Sequence, residues 1–300
     1  MTRGCSILGR PALTLSGRAT GLLLALVGTL IDSCEALVVR RMGLYLDDWQ
    51  QRGQWDGDRA IAGRIVIFHK YLFTMLFALI SLVATTSGGV GELLNGIRAG
   101  PKHIFVAALS QALISTLVTL ALLETETATV YLLFLLGPLW AAIFGRFFLL
   151  EPIRRCTALA LLLSLGAISV MKFPAIINNG DGDERGALNL GDLYAVAAGG
   201  SLGVLLTISR SAALHAPKAR MVCAPILGSL ACVIIASIML STSGHTPLPR
   251  CGDGMDAFAF VGLAAATGFG TATFYVCTLL AAKYVTGAEV GLVKMLEVNS

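Results

Sequence analysis

Charged residues are scarce in this chain of 300 residues. Lys, Arg, Asp and Glu together make up 13% of it, about half of the roughly 25% that is typical of soluble domains. The net charge of +4 is small, and the basic residues form no run with interleaved aromatic residues. This composition leaves no room for a separate soluble domain and predicts that the protein has no nucleic-acid partner.

The histidines and cysteines of the chain do not form the sequence motifs that catalysis and metal binding need. The four histidines fall in no H-E-x-x-H pattern, and no G-x-S-x-G nucleophile motif occurs. The seven cysteines are scattered without a C-x-x-C pair, which supports neither a disulfide framework nor a zinc site. We therefore predict no metal site, no cofactor and no enzymatic activity, and an intramembrane enzyme is the least favoured alternative.

What the chain contains instead is a series of nine apolar stretches, which give it a mean hydropathy of +0.78. Most are about 17–25 residues long, the length that a helix needs to cross the hydrocarbon core of a bilayer. Because backbone polar groups in lipid must be satisfied internally, such stretches must be helical. We predict an all-α integral membrane protein with about nine transmembrane helices, the ninth incomplete, in contact with membrane lipid. In chain order the stretches cover residues 21–39, 65–86, 104–123, 128–150, 156–173, 193–209, 221–240 and 257–282, and the ninth begins near Thr286.

The segment before the first stretch, residues 1–20, is basic and contains no acidic residue. A cleaved signal or an organelle-targeting address is one interpretation, but the apolar stretch behind it continues past Asp32 and Glu35. Placing the N-terminus inside puts more Lys and Arg residues on the inner side of the membrane than on the outer side, as the positive-inside rule requires. We therefore predict a multi-pass protein with a cytoplasmic N-terminus.

Two pairs of stretches resemble each other, which indicates an internal repeat. Stretch three resembles stretch eight, and five residues of stretch four match five of stretch nine at a spacing of 160 positions. This pairing is expected of a five-plus-five duplication, and two copies with an odd number of helices must have inverted topology. The matched residues are Ala128, Val130, Leu132, Leu133 and Leu136 beside Ala288, Val290, Leu292, Val293 and Leu296.

The fourth stretch carries a resemblance to a known family. Residues 131–140, with Gly137 and Pro138 in their second half, and then Glu151 directly after the stretch are similar to the fourth helix of the drug/metabolite transporter superfamily, EamA type. Residues 165–167 resemble part of its fifth helix, and residues 216–222 resemble the connection between its sixth and seventh helices.

The resemblance implies two inverted five-helix repeats and a secondary transporter that moves a small polar metabolite by alternating access. The first repeat covers residues 21–173 (helices 1–5), a connecting loop covers residues 174–192, and the second repeat covers residues 193–300. The family has a complete ninth helix and a tenth, whereas this chain stops at Ser300, so the second repeat holds helices 6–8 and part of 9. The alternative is a truncated, non-transporting membrane protein with a scaffold or regulatory role. A homodimer is left open.

Acidic residues inside the first stretch are the first candidates for a functional site. Ionisable groups at membrane depth are costly and usually face the interior of the bundle. Asp32 and Glu35 lie one turn apart on the face of small residues formed by Gly21, Ala25 and Gly28. We interpret them as substrate- or proton-binding residues. The alternative is that they pair with the arginines that follow the stretch, at positions 40 and 41.

Lys70 is the corresponding basic candidate, near the start of the second stretch. It could meet Asp32 or Glu35 across a central cavity, or bind an anionic substrate. The alternative interpretation is that its side chain snorkels to the membrane interface and marks the beginning of the helix.

Two polar stripes and a helix break complete the candidate site. The stripes lie on stretches three and eight at steps of four residues, and both could line one cavity, although ordinary hydrogen bonding between helices explains such stripes as well. Gly137 and Pro138 interrupt the fourth helix, because proline removes one backbone hydrogen bond. Freed carbonyls can then line a cavity, although a static kink is equally consistent with the sequence. The stripe residues are Gln111, Ser115 and Thr119, then Thr267, Thr271 and Tyr275, with Tyr131 as an aromatic candidate on stretch four.

Overall fold

The computed structural model describes residues 15–32, 34–51, 59–85, 89–125, 127–134, 136–153, 158–159, 162–163, 166, 170, 189–244 and 254–294. These residues are almost entirely helical and contain no strand, which confirms the prediction of an all-α protein. The helices are α1 (Leu15–Asp32), α2 (Glu35–Gln51), α3 (Arg59–Thr85), α4 (Gly89–Ala99), α5 (Pro101–Glu124), α6 (Thr127–Phe134), α7 (Gly137–Phe148), α8 (Leu190–His215), α9 (Cys223–Thr242), α10 (Gly254–Ala281) and α11 (Gly287–Lys294).

Among the described residues, six helical segments are long and apolar enough to cross a membrane, and a shorter apolar helix covers Gly17–Ile31. Their outward surfaces carry large apolar side chains, such as Phe105, Phe147 and Phe258, each more than two-thirds exposed. Water would oppose that exposure, whereas lipid tails accept it. The fold is therefore that of an all-α integral membrane protein. The six spans are Ile61–Ala84, Pro101–Glu124, Thr127–Phe148, Leu190–His215, Cys223–Thr242 and Ala257–Ala281.

The first predicted helix, residues 21–39, is wrong as a single element. Helix α1 ends at Asp32, Cys34 lies in a turn, and α2 begins at Glu35. The adjacent polar residues at positions 32 and 33 explain the break, since Asp and Ser favour turns and caps over helix interiors. An acidic residue in the first turn of α2 is stabilised by the positive end of the helix dipole.

The apolar stretches 21–39 and 65–86 imply a connection over residues 40–64, but α2 continues into this region as far as Gln51. Four apolar side chains of α2, Val39, Met42, Leu46 and Trp49, recur at steps of three and four and are 1% exposed or less. This is the periodicity of an amphipathic helix, whose many polar residues lower the average hydropathy and hide it from a search for apolar runs. Helix α2 is therefore part of the bundle rather than a loop.

Two helices organise the packing. Helix α10 packs against α1, α2 and α3, and helix α8 packs against α5, α6 and α7, while α9 lies between α3 and α5. Helices α1 and α2 together run antiparallel to α10, since Gly28 lies against Cys277 and Trp49 lies against Phe260. The point where α1 and α2 meet is therefore held beside the middle of α10.

Several predicted boundaries shift. Helix α1 already begins within the predicted N-terminal segment, and α8 begins at Leu190, inside the predicted connecting loop. The side chain of Asn189 caps α8 by accepting a hydrogen bond from the backbone N–H of Asp192 at 2.8 Å, a strong N-terminal signal. Most of stretch five, most of the connecting loop and the end of stretch nine lie outside the described residues.

Close contact between α10 and α3 depends on Gly268. A methyl group at this position would lie 2.4 Å from Cβ of Phe73 and 2.8 Å from the backbone nitrogen of Thr74. We expect Gly268→Ala to destabilise the protein by about 1–3 kcal/mol, because overpacking forces the two helices apart. Thermal unfolding of the purified protein in detergent, followed by far-ultraviolet circular dichroism, measures the effect.

Gly262, on the same helix, provides the matched control for this prediction. No atom lies within 4 Å of a methyl group added there, so Gly262→Ala should leave the protein as stable as the unmodified chain or slightly more stable. Equal unfolding temperatures for the two variants would show that α10 and α3 are not in close contact.

Candidate functional site

A buried ion pair lies at the centre of the described bundle. The amine of Lys70 donates a hydrogen bond to Oε1 of Glu35. Lys70 is 1% exposed and Glu35 is 9% exposed. Lys70 lies roughly 16 Å along α3 from its first residue, at 1.5 Å per residue, so the pair lies well inside the span rather than at its end. Such a pair is a strong candidate for a functional site, because ionisable residues at membrane depth are rare.

Each member of the pair has a second favourable contact. The hydroxyl of Thr271 on α10 donates to Oε2 of Glu35 at 3.1 Å, and Glu35 also lies at the positive N-terminal end of α2. The amine of Lys70 lies 4.9 Å from the ring centre of Tyr71, within the range of a cation–π contact. Both charges are therefore stabilised by more than their mutual attraction.

A small cavity of about 20 Å³ adjoins the pair. That volume holds about one water molecule. Its polar wall contains hydroxyl groups, of which those of Ser115 and Tyr275 are 3.2 Å apart. The cavity therefore combines two opposite charges, several hydroxyls and an apolar surface. Its lining consists of Glu35, Lys70, Tyr71, Ser115, Tyr131, Thr271 and Tyr275 on the polar side and of Ile114, Val118, Phe134 and Phe274 on the apolar side.

Six of the residues selected from the sequence come together at this cavity, and the other three stripe residues do not. Gln111 donates to the carbonyl of Pro225 at 3.4 Å and to the hydroxyl of Ser229 at 3.5 Å. Thr119 and Thr267 donate to carbonyls of their own helices, at 2.9 Å each. None of these three side chains lines the cavity. The six at the cavity are Glu35, Lys70, Ser115, Tyr131, Thr271 and Tyr275.

The contacts described for Lys70 and Glu35 do not favour the alternative interpretations of these two residues. Lys70 does not snorkel from a helix start, because α3 begins at Arg59 and its side chain is buried. The partners described for Glu35 are Lys70 and Thr271, and Arg40 and Arg41 are exposed. The side chain of Asp32 lies outside the described residues, so its predicted role stays a prediction.

The predicted helix break is present, but its glycine and proline do not line the cavity. Helix α6 ends at Phe134 and α7 begins at Gly137, with Pro138 in its first turn. A methyl group at Gly199 of α8 would lie 3.1 Å from the carbonyl oxygen of Phe134 and 3.3 Å from the backbone nitrogen of Gly137. The broken part of the fourth helix therefore packs against α8, and Gly137 and Pro138 do not line the cavity.

The sequence did not identify Tyr71 or a second polar cluster at one end of the bundle. Arg210 donates to Glu151 at 3.0 Å and to the carbonyl of Ala282 at 3.1 Å. Arg18 donates to Glu289 at 2.6 Å. Glu151 follows Leu150, whose φ of 54° is left-handed and turns the chain back after α7. The Arg210 contacts join the C-terminal ends of α7, α8 and α10, and the Arg18 contact joins the start of α1 to the start of α11.

No group of three or more His, Cys, Asp or Glu residues in the described part of the chain is arranged to hold a metal ion. No family model matches the chain, and no curated protein matches it.

The coupling between Glu35 and Lys70 is measurable as a double-mutant cycle. We expect Glu35→Gln and Lys70→Met each to destabilise the protein by about 3–5 kcal/mol, because each leaves one buried charge without its partner. The double variant should recover most of this loss, since both charges are then absent. Unfolding of the four proteins in detergent gives the coupling free energy.

Arg41→Met is the control for removing a positive charge, because Arg41 is exposed and contacts only the ring of Tyr45 among the contacts described for it, at 5.4 Å. Its effect should stay within about 0.5 kcal/mol. If the effects of Glu35→Gln and Lys70→Met simply add in the double variant, the two side chains are not paired in the folded protein.

Proposed function

We propose that the protein is a multi-pass secondary transporter of the drug/metabolite type, which moves a small polar solute across a membrane by alternating access. The observation that carries this proposal is the Glu35–Lys70 pair, buried at mid-span beside an interruption of the first helix. Secondary transporters bind substrates near the bilayer midplane, at broken helices between their repeats. The hydroxyl groups around the pair supply the hydrogen bonds that a polar solute needs.

The proposal includes nine spanning segments in two inverted repeats, with α1–α2 as the first helix, α6–α7 as the fourth and α11 as part of the ninth. The packing pattern supports it. In the first repeat, the third helix (α5) packs on the sixth helix (α8) of the second repeat. In the same way, the eighth helix (α10) of the second repeat packs on the first helix (α1–α2). The third also packs on the seventh (α9) as the eighth packs on the second (α3). These are the pairs that an inverted two-fold relation interchanges.

Individual contacts support the same relation. A methyl group at Gly21, near the start of the first helix, would lie 2.7 Å from Cβ of Tyr284, just after the eighth. A methyl group at Gly191, at the start of the sixth helix, would lie 2.9 Å from Cβ of Thr125, just after the third. The spacing between Thr125 and Tyr284 is one position shorter than the spacing of 160 that relates stretches four and nine.

The site and the ends of the bundle both join the two proposed repeats. Glu35 and Lys70 belong to the first repeat, whereas Thr271 and Tyr275 belong to the second. At the end that holds the N-terminus, Glu151 of the first repeat pairs with Arg210 of the second. At the other end, the hydroxyl of Thr125 hydrogen-bonds to the side chain of Asn189. Rocking of the repeats would break one set of end contacts at a time and expose the pair alternately.

A second candidate is a non-transporting membrane protein with a scaffold or regulatory role. The small cavity favours it, since about 20 Å³ holds no metabolite. A transporter requires this cavity to open far enough to admit a solute, whereas a scaffold or regulatory protein does not.

Uptake into proteoliposomes tests the proposal. Purified protein should give saturable uptake of at least one solute from a panel of amino acids, sugar phosphates, nucleotide sugars and purines. Ser115→Leu should reduce this uptake more than about tenfold, because the larger side chain fills the cavity and removes the contact with Tyr275. Leu113→Ala, which changes an outward residue of the same helix that is 46% exposed, is the control. A properly inserted protein that takes up no solute of the panel would favour the second candidate.

Cross-linking tests the role of the Glu151–Arg210 contact. In a variant without native cysteines, Glu151→Cys and Arg210→Cys joined by a cleavable bifunctional thiol reagent should lose uptake, because the repeats cannot separate at that end. Reductant should restore it. A second pair, Arg210→Cys with Leu214→Cys, lies within α8 alone and should not respond. Full uptake with the first cross-link in place would show that this end does not open during transport.

A further inference from the structure

We propose that Glu35 and Lys70 bind the two charged ends of one zwitterionic amino acid, the ammonium group on Glu35 and the carboxylate on Lys70. This inference rests on the proposed function, because it names the substrate class of the same cavity.

Charge balance at the pair separates zwitterionic substrates from substrates with a single charge. A substrate with one negative charge would pair with Lys70 and take that cation away from the buried Glu35 carboxylate. A substrate with one positive charge would leave Lys70 without an anion. Either result leaves an uncompensated charge in a low-dielectric site, which is strongly unfavourable. A zwitterion replaces one ion pair with two and adds no net charge, so both protein groups stay paired.

The contacts around the pair allow it to open in this way. The two oxygens of Glu35 already have different donors, Lys70 on Oε1 and Thr271 on Oε2. When Lys70 withdraws, the carboxylate keeps Thr271 and the positive end of α2. Lys70 in turn keeps its contact with the ring of Tyr71. Each charge therefore has a second contact that stabilises it while the substrate enters.

The rest of the lining matches the other parts of an amino acid. The side-chain hydroxyls of Ser115 and Tyr275 lie next to the pair and can accept or donate further hydrogen bonds. The same lining includes the apolar side chains of Ile114, Val118 and Phe274, which can contact the substrate's side chain. Glu35 is also the first residue of α2, beside the interruption between α1 and α2, so a shift of α2 separates it from Lys70 without unfolding a continuous helix.

Matched sets of ligands test this inference on the purified full-length protein in detergent. One set is leucine, 4-methylpentanoate and 3-methylbutylamine, which share a side chain but carry both charges, only the carboxylate or only the amine. A second set is phenylalanine, 3-phenylpropanoate and 2-phenylethylamine. Equilibrium binding should favour the amino acid of at least one set more than about tenfold over both singly charged analogues. If neither amino acid binds more tightly than its analogues, the inference is overturned.

Charge-neutralising variants should then switch the preference in opposite directions. Glu35→Gln removes the anionic side of the site and should favour the carboxylate analogue over the amino acid. Lys70→Met should favour the amine analogue. A purely structural role for the pair would weaken all three ligands together. The double variant carries no buried charge, which keeps the test valid if a single variant folds poorly, and it should lose the discrimination altogether. Retained preference for the amino acid in the double variant would overturn the inference.

The same proteins in vesicles separate the two proposals. If the ligand preferences switch as expected but no ligand is taken up, the zwitterion site stands and the transport function fails. If an uncharged solute is taken up equally well by the unmodified protein and by the double variant, transport stands and the zwitterion site fails.

Discussion

The positive charge of Lys70 is the constraint on which the centre of this structure depends. An ammonium group at the middle of a bilayer costs several kcal/mol unless a partner neutralises it. Glu35 supplies that partner, and the local structure supports the carboxylate: α2 starts at this residue, and Thr271 donates to its second oxygen. The interruption between α1 and α2 therefore supports the ion pair, because it places a helix N-terminus where the carboxylate is needed.

Close helix packing is the second requirement. Thr271 reaches Glu35 only because α10 approaches both α1 and α3 closely, and both approaches occur at glycines. Gly28 of α1 lies against α10, and Gly268 of α10 lies against α3. Small residues at such contacts let helix backbones come together in the absence of a hydrophobic driving force between helices. The polar contacts at the centre thus depend on positions that carry no side chain at all.

The sequence was a good guide to what must be buried and a poor guide to how it is arranged. Apolar runs predicted most of the long helices, and the cost of membrane charges identified Glu35 and Lys70. Whether Lys70 would meet Asp32 or Glu35 was not decidable, because it depends on where the first helix breaks. Helix α2 was missed because its mean hydropathy is low. Its sign in the sequence is the spacing of the apolar residues Val39, Met42, Leu46 and Trp49, which are buried in the structure. Nothing in the sequence marked Tyr71 as a cavity residue, since an aromatic residue in an apolar stretch usually serves helix packing. Thr119 and Thr267 were selected by their spacing. That spacing does not distinguish a hydroxyl that lines a cavity from one that donates to a carbonyl of its own helix.

Stability alone does not account for the ion pair. Replacing a buried ion pair with apolar residues of similar volume is often neutral or stabilising, because desolvation offsets most of the attraction between the charges. Leu and Met at positions 35 and 70 would therefore hold the bundle together at least as well. What an ion pair adds is two opposite charges that can exchange partners, here beside a helix interruption and a hydroxyl-lined cavity. A Thr271 contact from a different part of the chain makes that exchange sensitive to the position of α10. In the proposed transporter, a pair so placed would link the binding of a charged ligand to the relative position of the helices, as alternating access requires.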